Sequence, residues 1–104
     1  MNFKRTDDIS GTYLVGSMDI TYPELKKTLG KPDDGDGYKV DAEWNIISDT
    51  GIVATIYNYK DGRSYNGSSG LPKTKITEWH IGGVTSDAID FVKSLFPKAN
   101  VRPS

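Results

Sequence analysis

Three tyrosines, two cations and a single histidine carry most of the recognition chemistry this chain offers. Tyr57, Tyr59 and Tyr65 alternate with Lys60 and Arg63 where an apolar run gives way to a loop, and Glu78-Trp79-His80-Ile81-Gly82-Gly83 sets the histidine two residues before a double glycine. Tyrosine rings present flat faces on which a base can stack, and lysine and arginine meet phosphates. Glycine main chain just before a helix start lets an anion approach backbone N–H groups. Tyr57, Tyr59, Lys60, Arg63, Tyr65, His80, Gly82 and Gly83 therefore form the candidate binding set, suited to a small anionic nucleotide-like ligand. No Gly-Lys-Ser or Gly-Lys-Thr phosphate loop and no spaced dinucleotide fingerprint occurs, so loops would have to build such a site.

The same residues have structural roles to weigh against that chemistry. Tyrosines at strand ends often cover a sheet edge, and a double glycine also serves as a tight strand-to-helix turn. Trp44 and Trp79 sit in strand-like runs and read as core. With strand alternation His80 points away from Trp79 and Ile81, beside Glu78, which favours exposure or an ion pair over catalysis. Asp41 and Glu43 are two apart on one strand face, where carboxylates more often confer solubility than share a proton. With one histidine and no nucleophile elbow, no hydrolytic triad is marked. The chain reads as non-enzymatic, with no catalytic residues. Zero cysteines and one histidine exclude thiolate metal sites and make any protein zinc site improbable. No metal and no cofactor is expected.

The elements that must position these groups read in the order β-α-β-β-β-α. Thr12 to Ile20 is strand-like, with Gly16 as a bulge or close-approach point. Thr21-Tyr22-Pro23-Glu24 is a capping box for a short helix carrying Leu25 and Leu29, stopped by Gly30 and Pro32. After an acidic turn at Asp33-Asp34-Gly35-Asp36, the stretch Tyr38 to Ile46 alternates strictly. Its apolar set faces a core, and Lys39, Asp41, Glu43 and Asn45 are expected to meet water. Asp49-Thr50-Gly51 turns into a second strand, Ile52 to Tyr59, in an antiparallel pair. Lys60 to Pro72 reads as a long loop, Thr74 to Ile81 as a strand, and the segment from Thr85 or Ser86 to Pro97 as a helix with Ala88, Ile89, Val92 and Leu95 on one stripe. The expectation is one α+β domain over residues 1–104, with an antiparallel sheet of about four strands, two helices on one face, and flexible segments at 1–10 and 98–104.

Composition narrows the partners. At 36% hydrophobic and 26% charged residues the chain is neither disordered nor membrane-spanning, and a net charge of −1 argues against duplex nucleic acid. The first residues lack the apolar core of a secretory signal, so a cytoplasmic location is expected. Local cations at Lys60, Arg63, Lys73 and Lys75 still allow an anion-attracting patch.

Gly11-Thr12 with Leu14 and Gly16, Leu29-Gly30-Lys31-Pro32, Glu43-Trp44-Asn45-Ile46, Ala54-Thr55-Ile56-Tyr57-Asn58-Tyr59-Lys60 and Trp79-His80-Ile81-Gly82-Gly83 together resemble a family of short, largely uncharacterised proteins encoded by bacteriophages and prophages. The resemblance covers roughly residues 11 to 96. It implies a context and no catalytic residues: an accessory factor acting in the cytoplasm of a bacterial host, including inhibitors of host defence. The expected function is sequestration of a small anionic nucleotide-like signal, with a homo-oligomer as a means of deepening the pocket. The alternatives are a protein–protein inhibitor of a host defence complex, of the anti-CRISPR type, using Lys39, Asp41 and Glu43 or the acidic turn, and a structural or accessory phage protein.

Overall fold

The first two strands of this chain lie far apart in the sheet that both of them join. The computed structural model describes residues 3–34, 39–59 and 62–104, and gives no side chain for Arg63 or Ser64. Lys60, the Gly35-Asp36-Gly37 part of the acidic turn and Tyr38 lie outside the described residues, as does the Arg63 side chain. The strands are β1 (Phe3–Arg5), β2 (Tyr13–Asp19), β3 (Asp33–Asp34), β4 (Ala42–Ser48), β5 (Val53–Tyr57), β6 (Glu78–Gly83) and β7 (Asn100–Pro103), and the helices are α1 (Tyr22–Leu29), α2 (Arg63–Asn66) and α3 (Asp87–Leu95). All strand pairings are antiparallel, in the order β1-β4-β5-β6-β2-β7, with β3 pairing to the free end of β4.

The fold is α+β as expected, but the sheet has seven strands among the described residues rather than about four. Two additions come from the termini. Phe3–Arg5 pairs with Ile46–Ser48 of β4, and Asn100–Pro103 pairs with Gly16–Asp19 of β2, where flexible tails were expected. These strands are three and four residues long, too short for a periodic signal, and their partners are distant in sequence. Charged Lys4 and Arg5 on one edge and Pro103 on the other discourage further strand addition. The long loop also holds structure: α2 occupies residues 63–66, with 3₁₀ turns at Gly67–Ser69 and Lys73–Lys75.

α1 obeys its local signals. The Thr21 hydroxyl accepts from the Glu24 N–H at 3.4 Å and donates to Glu24 Oε1 at 3.0 Å, and the Gly30 N–H closes the C-terminus on Lys26 O. Arg5 ties β1 to that end, with Nη1 donating to Leu29 O and to Lys31 O. The β4–β5 hairpin turns at Gly51, whose φ of 91° is open to glycine at little cost. Ser48 Oγ accepts from the N–H groups of Thr50 and Ile52 in that turn.

Both helices of the expected fold pack on one face of the sheet. Their layer contains Met18, Leu25, Trp44, Ile46, Ile56, Trp79, Ile81, Phe91 and Val92, each essentially inaccessible. Trp44 and Trp79 meet edge-on at 5.4 Å with Tyr22 beside both, so the two tryptophans are core as read from the sequence. Trp44 Nε1 donates to Gly30 O at 2.8 Å, which fixes α1 against β4.

Candidate functional site

The opposite face of the sheet carries the candidate chemistry. Side chains alternate across a strand, so Glu43 and Asn45 of β4, Thr55 and Tyr57 of β5, and His80 and Gly82 of β6 share this outer face. Register sets them in two rows. Glu43 pairs with Tyr57, which pairs with His80, and Asn45 pairs with Thr55, which pairs with Gly82. The first row becomes a ledge of rings. Tyr57 stacks on His80 at 5.6 Å with planes 25° apart, Tyr59 tilts onto the same imidazole at 6.0 Å, and Lys39 Nζ lies 5.9 Å from the centre of the Tyr59 ring. Burial, reinforced by neighbouring Tyr59, pushes the Tyr57 phenol above its ordinary value, so it keeps its proton at neutral pH.

A strap covers the second row. Because β1 and β2 lie on opposite sides of β4, β5 and β6, residues 6–12 must cross those strands, and they do so over the outer face. Short side chains brace the crossing: Thr6 Oγ1 accepts from the Asp8 N–H, Asp8 Oδ1 from the Ser10 N–H, and the Thr12 hydroxyl donates to Ile9 O. The Ser10 hydrogen bonds hold the Asp8 carboxyl below its ordinary value. Under the strap is a cleft of about 210 Å³, roofed by Ile9, Thr12 and Tyr13 and floored by Val40, Glu43, Thr55, Tyr57 and Gly82. Asn45, expected in water, is only 9% exposed, and its Oδ1 has no hydrogen-bond partner among the described residues.

The double glycine works differently from its sequence reading. Both residues belong to β6 and pair on one side with β2 and on the other with β5, so their N–H groups lie within the ladder and form no exposed turn before α3. A Cβ on Gly82 would overlap Thr55 Oγ1, and one on Gly83 would overlap the Cβ of Ala88. Gly82 opens floor space in the cleft, whereas Gly83 faces the helices and lets α3 approach. An anion cradle at that corner is thereby corrected to close packing.

The predicted set is thus divided. Tyr57, Tyr59 and His80 come together, Gly82 borders the adjoining cleft, Gly83 lies on the other face, and Tyr65 is carried by α2 at 39% exposure. Sequence reasoning missed Lys39 as a neighbour of Tyr59, the strap, and the burial of Asn45 and Thr55. The ladder of β4 against β5 held the signal for the two rows, but the strap depends on β1 finding a partner that no local pattern announces.

At the far end of the same face Arg102 donates to both Asp19 oxygens and to Glu78 Oε2, and Asn100 Nδ2 donates to Asp19 Oδ2. These bonds hold the Asp19 carboxyl below its ordinary value, the Arg102 side chain contributing most. Among the described residues no group of three acidic or histidine side chains is poised for a metal, and no helix is long and apolar enough to cross a membrane. No family model, curated protein or solved structure matches the chain.

Proposed function

We propose that this chain is a non-enzymatic binding protein of bacteriophage origin that blocks a bacterial defence pathway by sequestering a small anionic nucleotide-like signal in the host cytoplasm. The observation that carries the reading is the ledge of Tyr57, His80 and Tyr59 with the Lys39 ammonium at its margin. Stacking on such rings contributes about 1–3 kcal/mol per base, and a cation beside them attracts a phosphate. The cleft next to the ledge is smaller than the roughly 300–1,000 Å³ of whole-ligand pockets. It would hold one ring system, leaving the remainder of a ligand over the ledge or against a second copy of the chain.

Calorimetric titration with cyclic nucleotides and cyclic ADP-ribose isomers tests the reading. Saturable binding is expected, weakened by Tyr57→Ala about fivefold to a hundredfold, the range that the loss of one stacking partner gives. Absence of heat for every member of the panel, with the protein folded, refutes it.

A protein-inhibitor function has its own support in three exposed apolar residues at one rim, Tyr13 and Leu14 of β2 and Val84 just after β6. Tyr13 pairs with Gly83, so Val84 follows directly. Capture of a defence protein from host lysate that is lost on Leu14→Asp, with no nucleotide bound, would favour this second reading.

A further inference from the structure

Folding leaves apolar side chains uncovered at both ends of β6. Beyond its C-terminal end Val84 is 49% exposed, and it borders an open groove of about 280 Å³ together with Gly51, Ile52, Val53, Thr85 and Asp87. Asp87 is the charged residue of that lining, and Asp90 shares the first turn of α3 with it. Both are exposed, and neither is in an ion pair among the described residues. The groove is smaller than the roughly 300–1,000 Å³ of whole-ligand pockets, and its apolar walls suit an inserted side chain.

The counterpart stands before the N-terminal end of the same strand. Leu71 is 48% exposed on a backbone bridged to Gly62. The 3₁₀ turn Lys73–Lys75 follows directly, and neither of its lysines is in an ion pair among the described residues. One apolar side chain followed by two cations matches apolar walls with two carboxylates at their rim, in both shape and charge. The six residues of β6, about 20 Å of strand, separate the two surfaces. A molecule therefore cannot fill its own groove.

We infer that the groove receives residues 71–75 of a second copy of this chain, with Leu71 seated against Ile52, Val53 and Val84, and with Lys73 and Lys75 beside Asp87 and Asp90. The contact is heterologous, joining the front of one copy to the back of the next. Every pair keeps one open groove and one open turn, so assembly proceeds to a ring or a chain of copies rather than to a closed twofold dimer. A patch this small gives weak, reversible association. The inference goes beyond both readings above and does not depend on the ledge.

The experiment is sedimentation velocity on the chain from micromolar to millimolar concentration, with Leu71→Asp and Val84→Asp run separately and mixed, and circular dichroism checking that each variant folds. The sedimentation coefficient of the parent chain should rise with concentration and fall back in high salt, which screens the lysine–carboxylate contacts. Each variant alone should stay monomeric. Their equimolar mixture should form pairs and nothing larger, because one variant brings an intact turn and the other an intact groove. Asp87→Asn should weaken the parent association about twofold to fivefold, as the loss of an exposed ion pair does. If Val84→Asp fails to fold, Asp87→Lys serves as the groove variant. A parent chain that is monomeric over the whole range overturns the inference. Association that survives in both variants overturns this contact, and association lost in Val84→Asp but kept in Leu71→Asp overturns the turn as its occupant. A mixture that stays monomeric overturns the pairing of groove with turn.

Discussion

Replacing Gly83 with alanine separates packing from ligand binding at the double glycine. The backbone there is not left-handed, so alanine meets no conformational barrier and would stiffen the unfolded chain, a gain of about 0.4–1 kcal/mol. Against this, the new methyl would overlap the Cβ of Ala88, which is 1% exposed, and would approach Thr85 O to 3.1 Å. Overpacking of a close strand–helix contact costs about 1–3 kcal/mol, so a net loss of roughly 1–2 kcal/mol is expected. In a chain of this size that lowers Tm by roughly 5–15 °C. Thermal denaturation of Gly83→Ala, Ala88→Gly and the double variant gives the answer. Ala88→Gly costs about 1 kcal/mol in helix propensity on its own. The double variant should be less destabilised than the sum, with a coupling of about 0.5–2 kcal/mol, incomplete because the Thr85 carbonyl remains. Nucleotide affinity should change little in any of them. An unchanged Tm for Gly83→Ala, together with lost binding, would refute this reasoning and restore the exposed-backbone reading.

Three further outcomes are expected. Thr21→Ala removes the α1 N-cap and should cost about 1 kcal/mol, visible as a Tm lower by roughly 4–8 °C, with Thr21→Ser largely restoring it. Asn58 is fully buried and its Oδ1 accepts from the N–H groups of Asp41 at 2.8 Å and Ala42 at 3.1 Å. Asn58→Ala should cost about 1–3 kcal/mol for each donor orphaned, and hydrogen exchange at Asp41 and Ala42 should accelerate before that at Trp44. The Asp19 carboxyl lies below its ordinary value of 3.8 in the folded chain, chiefly through Arg102 and then Asn100. Its contribution is complete above that value and is lost as pH falls through the folded one. Arg102→Gln should therefore flatten the acid limb of a stability-against-pH curve, whereas an unaltered limb would exclude this cluster as its source.

Legibility in the sequence followed the range of each interaction. α1 was readable from Thr21 to Gly30 because its caps are local, and so was the β4–β5 hairpin, which needs only alternation and Gly51. The aromatic core followed from two tryptophans in phase with that alternation. β1, β3 and β7 were not legible, since strands of two to four residues become strands only when a distant partner presents its edge. β4 begins at Ala42, later than its alternation suggested, because the Asn58 side chain takes the N–H groups of Asp41 and Ala42. Asn45 was placed in water by its phase, and the phase was right. What covers it is a segment whose course is fixed by β1 pairing beyond β4. The double glycine misled for a different reason: residues without side chains mark close approach equally well for a ligand or for a neighbouring strand and helix.

The crossing strap also dictates an order of assembly. Its two anchors are the outer edge of β4 and the far flank of β6, so the hairpin and the strand after it must exist before the N-terminal passage has anything to lie upon. Such long-range closure is slow relative to local hairpin formation. During synthesis residues 6–12 would stay idle until β6 had been made, and the ceiling of the cleft would be among the last parts to settle.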